Sequence, residues 1–181
     1  MDRKNKVFWI TSTAIFIALL IILQAATAPL GNMFVTGSIV NLLLIISVMT
    51  CGLSSGLAVG VISPIMAKLF GIGPLWSLIP FIMLGNSVLI LLWHLVDKLN
   101  KGNKFFPYIL ALVFAATAKF FTLYIGIVKI AIPLFLGLPE KQAAAISNMF
   151  SVPQLITAMI GGALAITILP TLKKAIGERR K

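Results

Sequence analysis

The sequence predicts an all-α integral membrane protein of six transmembrane helices, with both termini cytoplasmic, and three observations support it. The first is composition: 60% of the 181 residues are hydrophobic and 10% are charged, and the mean hydropathy is +1.08. Soluble chains run at about 45–50% apolar and about 25% charged, and a small water-facing fold must cover most of its surface with polar groups. The second is a series of six apolar runs separated by turn residues, each a candidate to cross a hydrocarbon core of about 30 Å. The third is the confinement of most Lys and Arg to alternate run ends.

The first span is expected at 7–27 and the second at 38–51, followed by a tight turn from Gly52 to Gly56. A third span covers 56–70, and after Gly71-Ile72-Gly73-Pro74 a fourth covers 76–96. A polar loop at 97–104 leads to a fifth span at 106–132. Residues 133–147 form the longest connection, and the sixth span, 148–172, runs into a basic tail. At this length the chain is read as one membrane domain, 1–181, without room for a soluble catalytic domain.

Orientation follows from the short flanks. Arg3, Lys4 and Lys6, then Lys98, Lys101 and Lys104, then Lys173, Lys174, Arg179, Arg180 and Lys181 make eleven of the fifteen basic residues on one side. The opposite loops hold Lys141 beside Glu140. An even number of spans returns the C-terminus to the side of the N-terminus, so parity and charge agree. A competing reading takes the basic start, the apolar run and Ala26-Thr27-Ala28 as a signal peptide with its cleavage site. The run has spanning length, and its removal would spoil the even parity.

Several functions are disfavoured by the same residues. A net charge of +11 suggests nucleic acid only when basic residues form one exposed patch beside stacking aromatics, and here they sit at segment ends. No G-x-x-x-x-G-K-[ST] loop occurs, so the chain is not expected to hydrolyse ATP by itself. Cys51 stands alone and reads as a small buried apolar residue. His94 lies three residues before Asp97, close enough to pair on one helix face. One His and four scattered acids supply no metal site, triad or carboxylate pair, so neither a metal nor a cofactor is expected.

The chemistry-bearing residues lie in the half of the spans predicted to face outward. Lys68 and Lys119 each fall about 20 Å along their spans, at matched depth, and Lys129 falls near the outer boundary. Intramembrane lysines are costly and usually face a cavity or partner, although a long lysine near an interface also snorkels. Gln24 ends span one, Asn41 opens span two, Asn86 lies about 15 Å down span four, and Gln154 opens span six. With no acid inside a span, an anionic ligand group is the expected partner for the lysines. Asn86 has a second reading, satisfying backbone freed by Pro80, and Trp76 reads as an interfacial anchor or a stacking platform.

Small residues recur at helical spacing in three places: Thr11, Ala14, Ala18 and Ala25; Gly52, Gly56, Gly60, Ser63 and Ala67; Ser151, Gln154, Ala158, Gly161 and Ala165. Such stripes let helices approach closely in lipid, either within the bundle or against a partner.

Together these features resemble the substrate-binding S component of an energy-coupling factor (ECF) vitamin transporter. Ala14-x-x-x-Ala18 resembles that family's AxxxA motif, and Leu30 to Leu42 (LGNMFVTGSIVNL) its gating loop running into span two. Gly52 to Gly60, Ile72-Gly73-Pro74, Ile79-Pro80-Phe81 and Leu84-Gly85-Asn86 resemble its central region. The resemblance implies six helices binding one vitamin near the outside, beneath a gating loop that here is Gly31, Asn32, Met33 and Phe34. It implies a complex with a transmembrane coupling subunit and two ABC ATPases, docked through Thr11, Ala14 and Ala18, in a prokaryotic plasma membrane. The S component of that family topples to carry its site inward, each state a discrete packing biased by ligand and partner.

The resemblance leaves the ligand open. Lys68 and Lys119 suit a carboxylate, with Asn86, Asn41, Gln154, Trp76, Lys129 and Gln24 as further contacts, and pantothenate is the first candidate ahead of folate, biotin or lipoate. The rival readings are a membrane scaffold without a small-molecule ligand and a small permease working alone.

Overall fold

The computed structural model describes residues 3–100 and 105–179, with side chains described for 7–100 and 105–175. The predicted loop residues 101–104 lie outside it, as do the side chains of Arg3, Lys4, Lys6, Lys101, Lys104, Arg179, Arg180 and Lys181. The described residues form an all-helical multi-span bundle with five long apolar helices and one shorter apolar helix.

Helix α1 (Arg3–Thr27) leads through one 3₁₀ turn (Ala28–Leu30) to α2 (Met33–Cys51). Asn32 caps α2, its side-chain oxygen accepting from Phe34 N at 3.0 Å and from Val35 N at 3.4 Å, so two of the four orphan donors of the new helix are satisfied. A single residue, Gly52, joins α2 to α3 (Leu53–Leu69), and its φ of 86° is a conformation that a residue with a Cβ adopts only under strain. Glycines 71 and 73 with Pro74 form the next turn, a 3₁₀ turn (Trp76–Leu78) follows, and α4 (Ile79–Leu99) begins.

Helix α5 (Phe105–Leu123) continues without a break into wider π-helical turns (Tyr124–Leu136) that include Pro133. The sequence predicts an end of the fifth span at 132, with a connection from Pro133 onward. The wider turns carry the helix past that residue, an adjustment by which membrane helices re-satisfy the groups a proline frees. The expected connection at 133–147 is likewise largely helical, since α6 (Glu140–Met149) forms within it and only Phe150 and Ser151 separate it from α7 (Val152–Arg179). No residue of α6 is fully buried. Its mixed composition gives no long apolar run, which is why hydropathy reads it as a loop.

Helix α2 is central, packing most extensively on α7 and also on α1, α3 and α4. Small residues make the α2–α7 contact possible: a Cβ at Gly161 would lie 2.6 Å from Ser38 O and 2.7 Å from Asn41 Cβ, so the two backbones touch. The main core gathers Leu44, Ile45, Leu89, Ile90, Trp93, Ala111, Ala115 and Ala165, and a second cluster gathers Leu78, Leu123, Ile127, Ala131 and Phe150.

The three small-residue stripes separate by surroundings. Gly56, Gly60, Ser63 and Ala67 are buried, as are Ala158, Gly161 and Ala165, so those stripes serve packing inside the bundle. Thr11, Ala14, Ala18 and Ala25 are exposed, beside Ile10, Ile15 and Ile22. Helix α1 still belongs to the bundle through its other face: Leu20 and Thr13 are buried, and the Thr13 and Ser55 hydroxyls hydrogen-bond at 2.6 Å.

Candidate functional site

The end of α1, the start of α2, the end of α3, the start of α4, the second half of α5 and the start of α7 meet at one end of the bundle, around a cavity of about 280 Å³. Its wall is mostly apolar, built from Val40, Pro64, Ala67, Ile79, Ile82, Leu123, Met149 and Phe150. Gln24, Asn41, Asn86, Lys119 and Gln154 add polar groups to that wall. A largely apolar concavity with a few convergent polar groups is the usual form of a small-molecule site.

Lys119 stands about 20 Å along α5 from Phe105 and is 3% exposed. Its ammonium donates to Asn41 Oδ1 at 2.6 Å and to Asn86 Oδ1 at 2.8 Å. Both amides are oriented by what their nitrogens do. Asn41 Nδ2 donates to Gly37 O at 2.9 Å and to Thr157 Oγ1 at 3.3 Å, which turns its oxygen toward the lysine. Asn86 Nδ2 donates to Gly60 O at 3.2 Å. Gly60 O is the carbonyl that an amide at position 64 would bond within α3, and position 64 is a proline. The Asn86 amide thus replaces the donor that Pro64 lacks.

That pairing corrects the expectation about Pro80. Pro80 lies in the first turn of α4, where a helix has no use for its N–H, so it frees no carbonyl. Asn86 does satisfy proline-freed backbone, but on a neighbouring helix.

Lys68 is half-buried and is not part of the cavity wall, although Ala67 is. The wall takes Ser63, Pro64 and Ala67 from α3, one helical face, and the next residue is turned about 100° from it. Lys129 is exposed, with its ammonium 5.5 Å from the centre of the Tyr124 ring. Trp76 is 54% exposed and stands off the cavity, the disposition of an interfacial anchor. In the expected gating segment Met33 lines the cavity, whereas Gly31, Asn32 and Phe34 are exposed around it.

Gln24 lines the cavity with its Oε1 buried and without a hydrogen-bond partner among the described residues. Gln154 also lines it, while its Nε2 donates to Met149 O at 3.2 Å across the α6–α7 junction. Thr157 was absent from the sequence reading, although it hydrogen-bonds Asn41 and is 2% exposed. Its place one turn after Gln154, beside Ala158 of the small-residue stripe on the sixth span, is the available signal.

At the other end of the molecule Asp97 engages different partners from those expected. Tyr108 Oη donates to Asp97 Oδ1 at 2.9 Å and Lys173 Nζ pairs with the same oxygen at 2.9 Å, so the carboxylate turns to α5 and α7 instead of to His94. Cys51 is half-buried beside Thr50, not in the core.

The family model described as ECF transporter, substrate-specific component, matches residues 9–173. Neither the curated proteins nor the solved structures yielded a match.

Proposed function

Because this chain belongs to the substrate-specific components of ECF transporters, we propose that it captures a small anionic micronutrient, pantothenate being the first candidate, in the cavity around Lys119. The observation that carries this reading is a buried lysine in a cavity where, among the described residues, no carboxylate forms part of the wall. A buried ammonium needs a compensating charge, and a bound carboxylate supplies one. The cavity end is then the outward end, and the charge asymmetry of the sequence is the support for that orientation.

Components of this family work with ECF transmembrane and ATPase modules. For this chain we place the docking face on Thr11, Ala14 and Ala18, which are exposed on α1 among exposed apolar neighbours. Two ABC ATPases then supply the energy, in a prokaryotic plasma membrane. Ligand capture and coupling thus occupy different surfaces of the bundle.

Native mass spectrometry of the purified chain, incubated with a pool of vitamins, tests capture directly: a bound mass at one-to-one stoichiometry is expected. Uphill accumulation in vesicles holding this chain alone would overturn the proposed division of labour. Ala14→Leu and Ala18→Leu are expected to leave ligand affinity unchanged and to abolish co-purification with the coupling subunit. Loss of binding with retained assembly would contradict that assignment.

A further inference from the structure

The polar groups of the cavity are not interchangeable, and much of the capacity of Asn41, Asn86 and Lys119 is already used within the protein. Both N–H groups of Asn41 are taken by Gly37 O and Thr157 Oγ1, and its oxygen already accepts from Lys119. An ammonium has three N–H donors and a primary amide has two. Lys119 uses two of its three on Asn41 and Asn86, and Asn86 uses one of its two on Gly60 O. What remains around Lys119 is one charged and one neutral donor.

Gln24 is different. Three buried side-chain polar atoms lack a partner among the described residues: Trp9 Nε1, Ser38 Oγ and Gln24 Oε1. Of their residues only Gln24 lines the cavity, and its orphan atom is an acceptor. A buried acceptor without a partner is costly, so it marks a place where a donor is expected.

Charge adds a third constraint. Lys68 and Lys129 are not part of the wall, which leaves Lys119 as its one cationic side chain among the described residues. The volume of about 280 Å³ lies just below the usual range of ligand pockets, about 300–1,000 Å³.

We infer that the ligand is a compact monocarboxylate held in one polarity, its carboxylate on the free N–H groups of Lys119 and Asn86 and a hydroxyl or amide N–H of its body on Gln24 Oε1. This rests on the capture reading above and narrows it. Dicarboxylates and phosphate esters bring a second charge for which the wall offers no cationic partner among the described residues, and cationic ligands meet Lys119 unfavourably. Neutral ligands leave the lysine uncompensated. Asn41 positions Lys119 and does not itself contact the ligand.

Equilibrium binding to the detergent-purified full chain tests this with matched probes: pantothenate against pantothenol and biotin against biotin amide, with thiamine and riboflavin as cationic and neutral comparators. At least one acid is expected to bind, and to bind at least about thirtyfold tighter than its neutral counterpart, the lower end of the cost of stranding a buried charge. This comparison needs no variant. Lys119→Met is expected to collapse the acid-to-neutral ratio toward one, whereas Gln24→Leu is expected to weaken both members alike and leave the ratio unchanged.

If thiamine, riboflavin or the neutral members bind as well as the acids, the chain is still a capture subunit but the monocarboxylate assignment is wrong. If a folded chain binds none of the probes, the capture of a vitamin-like ligand and the assignment built on it both fall. A ratio that changes in Gln24→Leu and persists in Lys119→Met overturns the polarity.

Discussion

Lys119 and Lys173 are both held between helices of one bundle, and what faces them differs. Lys173 meets an acid, Asp97, with a third of each side chain exposed, and the phenol of Tyr108 shares the same carboxylate oxygen. Lys119 is almost wholly buried and meets two neutral amides. The first lysine has its counter-ion built in, so it ties α7 to α4 and has no need of a ligand. The second is oriented and solvated by amide oxygens, an arrangement that leaves the ionic partner to come from outside. The comparison teaches that a counter-ion, not burial alone, separates a structural lysine from one available for recognition.

The largest expected effect comes from making the two ends alike. Asn41→Asp places a carboxylate where the amide oxygen now accepts from Lys119 at 2.6 Å, giving that lysine the internal partner that Lys173 already has. The anionic ligand is then in competition with a fixed acid and its affinity is expected to fall by about 2–5 kcal/mol. The aspartate loses the donor that Asn41 gives to Gly37 O, so some stability is expected to be lost, while the opposite charges of the new pair offset part of it. Titration of the variant with the best-binding probe, beside its thermal unfolding curve, checks both. An unchanged affinity would mean that the charge of Lys119 plays no part in binding.

How much of this was legible in the sequence depends on the kind of signal. Helix number and order follow from apolar length, and Gln24, Asn41, Asn86, Lys119 and Gln154, picked out as polar residues in one half of the spans, do line one cavity. Lys68 shows a signal that was present and outweighed: Gly60, Ser63 and Ala67 marked one face of α3, which the structure turns inward, and the next residue cannot share it. Depth in the membrane was matched, but azimuth decides what a side chain faces. The link from Asn86 to Gly60 was not legible, because it depends on which helix stands beside α4 and on its height. Helix α6 and the π-helical extension were hidden for another reason. Hydropathy marks long apolar runs, which α6 lacks, and the extension of α5, although apolar, holds Pro133, which reads as a break.

The next effect in size sharpens the account of the cavity end. If Asn86 supplies the donor that Pro64 lacks, then restoring that donor makes the amide partly redundant. In the Pro64→Ala background the α3 amide can bond Gly60 O, and Asn86→Leu is expected to cost about 0.5–1.5 kcal/mol less stability than it does in the unaltered chain, the worth of one hydrogen bond. A double-mutant cycle read by thermal unfolding in detergent isolates that coupling. Strict additivity would show that the Asn86–Gly60 bond contributes nothing, and that Asn86 is oriented by Lys119 alone.

The smallest effect is expected at the opposite end, and its smallness is informative. Lys173→Met removes one member of an ion pair that is a third exposed on each side, and such pairs contribute about 0–1 kcal/mol. Asp97 keeps the hydrogen bond from Tyr108 at 2.9 Å, so its carboxylate is not stranded. Stability is expected to fall by no more than about 1 kcal/mol, and the affinity for the carboxylate probe is expected to stay unchanged, because Lys173 lines no part of the Lys119 cavity. A loss of ligand affinity comparable to that in Asn41→Asp would break the comparison. It would mean that the two ends of the bundle are coupled, with the contact between α4 and α7 at one end setting the shape of the cavity at the other through α2, the helix that packs on both.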